Sequence, residues 1–316
     1  MDRQALIIDC DPGVDDAVAL MLAFGSPALE LLAVSTVGGN APLKKTTRNA
    51  RMLRQIAGRE DVPVHAGAER PLRRKPAGAS DFHGEEGLGF VPPFSPDRPV
   101  ADGHGVDAII NPVMAREPGT VTLAVLGPLT NLALALRKEP SIAGRLGQVA
   151  IMGGARSEGG NITASAEFNI WADPEAADEV LRSGCPVTMF GLDVTHQVRA
   201  AEARIARLAA IGTPPADTAA AMLRFSQKAE REFVGGDAPP VHDMCPVAWA
   251  ARPELFELRA CRIRVETDSE LTRGHTAVEF REAVAGGLPH RWATRADAEG
   301  VFDLLVYAVG GGPRTN

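Results

Sequence analysis

The sequence predicts an α/β fold: a single domain with a mostly parallel, Rossmann-like sheet flanked by helices and an antiparallel extension near the C-terminus. Short apolar runs alternate with helical patterns along most of the chain, which is typical of βα units. Acidic and glycine-rich turns follow several of the apolar runs, where parallel sheets bind their ligands. No linker divides the 316 residues, so we expect one domain over residues 1–316.

Five parallel strands are predicted, at residues 5–9, 31–36, 121–126, 149–152 and 187–191. Helical patterns follow at residues 17–23, 43–56 and 130–136. Another helix opens at Pro174, because proline suits a first helical turn.

The pattern changes after residue 260. Alternating strands are predicted at residues 262–267, 275–280 and 290–294, then a last helix at 298–309. We expect these strands to extend the same sheet in antiparallel fashion. Residues 70–105 are rich in Pro and Gly, and a loop of this length is usually functional or mobile.

Composition excludes several function classes. Hydrophobic residues make up 45% and charged residues 23%, as in ordinary globular proteins. A net charge of -7 argues against a nucleic-acid partner, and the basic run at residues 70–75 is typical of a solvated loop. The first apolar segment is too short for a signal peptide or a membrane span, so we expect a cytoplasmic protein without a membrane partner. The four cysteines are scattered and are expected to be buried structural thiols.

The most informative segment is Asp9-Cys10-Asp11-Pro12-Gly13-Val14-Asp15-Asp16, directly after the first strand. Four carboxylates this close repel one another unless a hard divalent metal, hydrogen-bond donors or a helix N-terminus compensates them. The next helix begins here, and its positive end favours anions. Asp9 ends the strand and is expected to orient its neighbours.

Three other strand ends carry polar residues: Gly38-Gly39-Asn40, residues 127–131, and Gly153-Gly154 leading to Asn161 and Glu167-Phe168-Asn169. Their glycines allow close backbone approach, and their amide and acid groups suit hydroxyl ligands. No Lys or Arg accompanies these turns, which favours a polyhydroxylated small molecule over a phosphate. Singly, Asn40 reads as a turn residue, Asn161 as a loop residue and Glu167 as a surface acid.

Two histidines are ambiguous. His242-Asp243 precedes an apolar helix, where an acid is normally a cap and a histidine is usually structural unless the pair faces the acidic turn. His83 lies in a glycine-rich loop.

Other classes of site fit the acidic turn less well. A calcium-binding helix-loop-helix needs Glu at its twelfth position, where this chain has Leu20 or Leu22. A metal-dependent phosphohydrolase using Asp9 or Asp11 as nucleophile leaves Asp15 and Asp16 unexplained. A non-catalytic nucleoside or sugar sensor on the same scaffold is the remaining alternative.

Taken together, the motifs resemble one family, the calcium-dependent nucleoside hydrolases, or inosine-uridine-preferring nucleoside N-ribohydrolases. The resemblance runs in order over nearly the whole chain and rests on the acidic segment through Ala17, Gly38-Gly39-Asn40, His83-Gly84-Glu85, Leu129-Thr130-Asn131, Met152-Gly153-Gly154, Ala166-Glu167-Phe168-Asn169, Asp173-Pro174-Glu175-Ala176-Ala177 and Val241-His242-Asp243.

The resemblance implies hydrolysis of ribonucleosides to base and ribose through an oxocarbenium-like transition state, serving nucleoside catabolism or salvage, in a homodimer or homotetramer. It implies Ca²⁺ held by Asp11, Asp16, Asp243 and the Leu126 carbonyl, with Asp11 activating water and His242 protonating or hydrogen-bonding the base. The implied ribose contacts are Asp15, Asn40, Met152, Asn161, Glu167 and Asn169, with His83 near the base. Many purine-competent relatives carry a tyrosine before the His-Asp pair. Phe233 is the candidate for that place here, and it cannot donate a hydrogen bond.

Overall fold

The computed structural model describes residues 3–76, 78–281 and 290–311. Within them, eight strands form the main sheet in the order β3-β2-β1-β4-β5-β6-β10-β7. In chain order its strands are β1 (Gln4–Cys10), β2 (Leu29–Thr36), β3 (Val64–Ala66), β4 (Val121–Val125), β5 (Gln148–Met152), β6 (Val187–Phe190), β7 (Phe256–Ala260) and β10 (Arg291–Ala296). A separate antiparallel pair consists of β8 (Arg262–Val265) and β9 (Thr276–Glu279).

The main sheet is parallel except at one edge. β1 lies at its centre and pairs in parallel with β2 and β4, so that Ile8 faces Val34 on one side and Ala124 on the other. β10 runs parallel to β6 and antiparallel to β7. The central strands are buried nearly without interruption, because helices cover both faces of a parallel sheet.

The helices of the described residues are α1 (Val14–Gly25), α2 (Leu43–Ile56), α3 (Ser80–His83), α4 (Gly105–Ala115), α5 (Thr130–Lys138), α6 (Phe168–Ala172), α7 (Pro174–Arg182), α8 (Leu192–Thr195), α9 (Glu202–Ala209), α10 (Pro214–Ala229), α11 (Met244–Ala251) and α12 (Ala298–Val309). Two 3₁₀ turns (Pro140–Gly144 and Pro253–Leu255) and one π-helix (Glu230–Val234) join them. None of these helices combines the length and the apolar character that crossing a bilayer requires.

Alternate residues of β1 belong to different cores. Leu6 and Ile8 pack in a cluster with α1, α10, α11 and α12, whereas Ile7 packs in a second cluster with α4, α5 and α7. α1 is buried on almost every side because α10, α11 and α12 surround it, which explains its nearly continuous apolar sequence.

The predicted α/β class is confirmed, including antiparallel strands near the C-terminus. The expectation that residues 262–267 and 275–280 extend the main sheet is wrong, since among the described residues β8 and β9 form a separate two-stranded sheet. The predicted strand at residues 290–294 corresponds to β10, which joins the main sheet by pairing in parallel with β6. β7, which was not predicted, pairs with β10 and is the antiparallel edge strand of the main sheet. Alternation identifies half-buried strands, but it does not say which strand each one pairs with.

The end of α1 provides a test of packing. A Cβ added at Gly25 would lie 2.1 Å from the backbone oxygen of Ala308 in α12, whereas one added at Gly144 would meet no atom within 4 Å. We expect Gly25→Ala to lower the free energy of unfolding by about 1–3 kcal/mol through overpacking. Urea denaturation measures it. The control Gly144→Ala should change stability by no more than about 0.5 kcal/mol, and equal midpoints for the two variants would contradict the packing described.

Candidate active site

A cavity of about 560 Å³ opens among the carboxyl ends of the parallel strands and the segments that follow them. Its lining includes most of the predicted site residues: Asp15, Asn40, His83, Leu126, Met152, Asn161, Glu167, Asn169, Phe233, His242 and Asp243. Asp11 and Asp16 are fully buried and reach this lining through hydrogen bonds to Asn40. A second cavity of about 480 Å³, beside β8 and β9, contains none of the predicted residues.

The acidic turn is held by backbone donors. Asp16 accepts hydrogen bonds from the N–H groups of Asp11 at 3.1 Å and Gly13 at 3.0 Å, so its carboxylate closes the turn at the start of α1. Asn40 connects β2 to this turn, because its side-chain amide donates to Asp16 at 3.1 Å and its backbone N–H donates to Asp11 at 2.6 Å. The helix start and the turn therefore orient the carboxylates inward.

Three carboxylates form a candidate metal centre. Oxygens of Asp15, Asp16 and Asp243 lie within 4.8 Å of one another. Burial, followed by the charge of Asp15, raises the pKa of Asp16 to about 7 and raises the pKa of Asp243 well above its usual range. Buried like charges this close favour a bound cation, and an all-oxygen donor set suits a hard divalent metal.

Asp11 lies outside this group of three. One of its oxygens accepts the N–H of Asn40, and the other is buried without a hydrogen-bond partner in the described part of the chain. A Cβ at Gly39 or Gly127 would stand 2.1 or 2.3 Å from the Asp11 carboxylate, so glycine is required at both strand ends for this close approach. Burial, followed by the charge of Asp16, raises the pKa of Asp11 well above its usual range.

Glu167 and Asn169, which follow β5, line the cavity and also form hydrogen bonds within the protein. Glu167 caps α6, accepting the N–H groups of Gly154, Asn169 and Ile170, yet burial still raises its pKa to about 7. The Asn169 amide donates to the Leu126 carbonyl at 2.6 Å. Glu167 is thus buried rather than a surface acid.

Asn161 is exposed and is a loop residue in this structure. Its side-chain oxygen accepts the N–H of Phe168 at 2.9 Å, which links the loop to the start of α6. Since Asn161 also lines the cavity, the structural and the ligand-binding interpretations are compatible.

Two histidines line the cavity. His242 Nδ1 lies 2.8 Å from the hydroxyl of Thr195, and burial lowers the pKa of His242 to about 4. His83 Nδ1 accepts the N–H of Val14 at 3.1 Å and lies 3.9 Å from Asp15, with its pKa lowered by burial. Burial thus favours the neutral form of both rings.

An aromatic pair stands at the same cavity. Phe82 in α3 and Phe233 in the π-helix have ring centroids 5.4 Å apart. Both side chains are exposed, Phe233 by 51%. The two rings join the long loop of residues 70–105 to the segment before the His-Asp pair.

Asp9 has a structural environment. Its carboxyl accepts a hydrogen bond from Asn131 at 2.7 Å, and burial raises its pKa to about 7. Asn131 also accepts the N–H of Ala68 at 2.7 Å and so ties the start of α5 to the segment after β3. A fully buried, hydrogen-bonded Asp9 is not available as a nucleophile, which weakens the phosphohydrolase interpretation.

Sequence reasoning missed further residues near the cavity. Among the missed residues that line it are Phe82, Phe168, His196, Arg199 and Glu230, and Thr195 contacts His242. A signal existed for Thr195-His196: they follow β6, whose carboxyl end is another strand end on the same edge of the sheet.

A parallel sheet with an acidic cluster and a polar cavity at its strand ends defines an α/β enzyme acting on a small hydroxylated molecule. Comparison with known proteins agrees. The profile of the family described as "Inosine-uridine preferring nucleoside hydrolase" matches residues 6–303. The chain belongs to this family. It is a nucleoside hydrolase, an N-glycosidase that converts ribonucleosides to free base and ribose.

Individual relatives cover almost the whole chain. The inosine-uridine preferring nucleoside hydrolase of Leishmania major is 44% identical over 309 residues, 96% of each chain. The pyrimidine-specific ribonucleoside hydrolase RihA of Shewanella oneidensis is 41% identical over 313 residues, 96% of this chain and 95% of that protein. The solved structure of the plant nucleoside hydrolase PpNRh1 matches with a TM-score of 0.92 at 34% identity, covering 98% of this chain and 99% of that one.

The raised pKa of Asp16 predicts how a divalent cation affects stability. Its pKa of about 7 in the folded protein lies above the ordinary aspartate value of 3.8, so the proton held by the folded state stabilises the metal-free protein at low pH, and this contribution is lost as pH rises toward 7. We expect the melting temperature in EDTA to fall over this range. Excess divalent cation should restore it, with a gain that grows with pH as the cation displaces protons.

Thermal melts with EDTA or cation at several pH values measure the effect. Asp16→Asn should reduce, without abolishing, the pH dependence of the cation-induced gain, since one of the carboxyl groups with a raised pKa is gone while Asp11 and Asp243 remain. A gain of the same size at every pH would contradict a cation at these carboxylates.

Proposed function

We propose that the whole chain, residues 1–316, acts as one Ca²⁺-dependent nucleoside hydrolase domain with an oxocarbenium-like transition state. The observation that supports this most strongly is the set of buried carboxylates beside a cavity that also holds polar groups and a neutral histidine.

The residues proposed to hold the cation are Asp11, Asp16, Asp243 and the carbonyl of Leu126. All four donate oxygen, and carboxylates with a carbonyl suit the large, flexible coordination sphere of calcium. Asp15 is close enough to the cluster to turn toward either the cation or a ribose hydroxyl. When bound, Ca²⁺ would orient the ribose 2′- and 3′-hydroxyls and lower the pKa of a nearby water.

Asp11 is the proposed general base. Its unpartnered buried oxygen takes a proton from water, the water oxygen bonds to the anomeric carbon, and the bond from that carbon to the base breaks with its electron pair going to the base. Positive charge then develops on the ribose ring. Asp15 and Glu167 face the same cavity and stabilise it.

Orientation of the sugar is assigned to groups from different strand ends. Asn40, Asn161, Glu167 and Asn169 offer hydrogen bonds to hydroxyls, and Met152 provides an apolar surface beneath the ring. Glu167 and Asn161 accept hydrogen bonds from the backbone N–H groups of Gly154 and Phe168. These bonds order both side chains before substrate arrives.

At the nucleobase end of the substrate, His242 acts by donating a hydrogen bond to the departing nucleobase. A ring with a pKa near 4 carries no spare proton at pH 7, so the departing base is stabilised by the hydrogen bond and takes its proton from solvent. His83 lies near the base, and Phe233 offers a ring face for stacking without a hydrogen-bonding group.

Assembly and location follow from the family resemblance and the composition. We propose a homodimer or homotetramer in the cytoplasm, with a small ribonucleoside as its ligand and neither nucleic acid nor membrane as partner. A role in nucleoside catabolism or salvage fits these products.

Removing the proposed general base, Asp11, should greatly reduce turnover. We expect Asp11→Ala to lower kcat by about 10²–10⁴-fold, since proton abstraction from water is lost. Release of reducing sugar from inosine, uridine, cytidine and adenosine measures it, with Asp102→Ala, an exposed acid, as the control. Unchanged turnover in EDTA would contradict the metal requirement, and restoration by Mg²⁺ but not by Ca²⁺ would contradict the choice of calcium.

Removing the hydrogen-bond donor should affect poor leaving groups most. We expect His242→Ala to lower kcat on inosine or uridine by about 10²–10³-fold, with far less loss on a nitrophenyl riboside, whose leaving group needs no such hydrogen bond. His65→Ala, away from this cavity, is the control. Equal losses on both kinds of substrate would argue against a role at the leaving base.

A further inference from the structure

We propose that Thr195 is a positioning residue, whose hydroxyl holds His242 in the tautomer that directs an N–H at the leaving base. This inference rests on the proposed function of His242. It assigns a role to a residue that sequence patterns did not single out.

Thr195 is held firmly where it meets the ring. It ends α8, directly after β6, and is fully buried. Its backbone N–H donates to the carbonyl of Gly191 at 3.1 Å. The hydroxyl oxygen lies 2.8 Å from Nδ1 of His242. Among the described residues, the Thr195 hydroxyl has one hydrogen-bond partner, Nδ1 of His242.

The direction of this hydrogen bond follows from the surroundings. If Nδ1 donated to the hydroxyl oxygen, the hydroxyl proton would need another buried acceptor. The carbonyl four residues earlier in the chain, that of Gly191, already receives the N–H groups of Val194 and Thr195 and forms no bond with this hydroxyl among the described residues. The hydroxyl therefore donates to Nδ1.

A defined tautomer is the consequence. In a neutral imidazole with Nδ1 as the acceptor, Nε2 carries the hydrogen. Nε2 has no hydrogen-bond partner within the described parts of the chain, and His242 lines the cavity. The free N–H is thus left for a ligand, and the opposite tautomer would present a lone pair that repels an electron-rich leaving base.

His196 restricts the ring further. Its ring centroid lies 5.7 Å from that of His242, with the planes inclined at 52°. His196 is itself linked to Glu158, 3.0 Å away on the loop after β5. The dipeptide Thr195-His196 therefore fixes His242 through a hydrogen bond and a neighbouring ring.

The first experiment observes the tautomer without reference to activity. Two-dimensional ¹H–¹⁵N spectra of the histidine rings distinguish protonated from unprotonated ring nitrogens. At neutral pH, we expect His242 to carry its proton on Nε2 in the wild type and in Thr195→Ser. In Thr195→Val we expect a mixture of tautomers, and the same single tautomer in that variant would overturn the proposal.

The second experiment measures turnover. Thr195→Val should lower kcat on inosine or uridine by about 10-fold or more, a share of the roughly 10²–10³-fold that one preorganised hydrogen-bond donor to a developing negative charge provides. It should leave KM and turnover of a nitrophenyl riboside nearly unchanged. Thr195→Ser should restore most of the loss, since it keeps the hydroxyl. A loss of equal size on both substrates, or none on inosine, would overturn the proposal.

Matched controls separate this inference from the function on which it rests. Thr188→Val makes the same substitution at a fully buried threonine of β6 and should leave turnover unchanged, which excludes a general effect on folding. If His242→Ala fails to discriminate between the two kinds of substrate, the proposed role of His242 is wrong. The spectra still decide whether Thr195 selects the tautomer.

Discussion

The rest of the structure depends on the repulsion among carboxylates buried at the carboxyl end of β1. Asp11 and Asp16 have no exposed surface and Asp243 has almost none, so bulk solvent does not screen their charges, and their pKa values are raised as a result. The fold tolerates this repulsion because α1 starts there and Asn40, which follows β2, donates hydrogen bonds to Asp11 and Asp16. The carboxylate oxygens are also close enough together to hold a cation. A stable apolar core on both faces of the sheet supports this costly arrangement.

Much of the framework is visible in the sequence. The central strands and α2, α7 and α12 follow from apolar runs, helical periodicity and the proline at position 174. The pairing of β7, β8 and β9 is not visible, because half-buried strands show the same alternation in any sheet. Which strand lies next to which is decided by contacts distant along the chain.

The site is predictable to a similar extent. Polar residues after strands indicate one crevice, and most of the expected residues line it. Their roles came from family resemblance rather than spacing. The contact between Thr195 and His242 joins residues 47 positions apart, and the π-helix at Glu230–Val234 brings Phe233 to Phe82. No local pattern encodes either contact.

The glycines around Asp11 have a consequence for how such enzymes diversify. A Cβ at Gly39 or at Gly127 would strike the carboxylate of Asp11, so a side chain at either position would displace that carboxylate. Phe82 and Phe233, which form an aromatic wall of the same cavity, have exposed side chains, so replacing them displaces no buried group. Substitution is therefore easier at the aromatic wall of the cavity than beside Asp11.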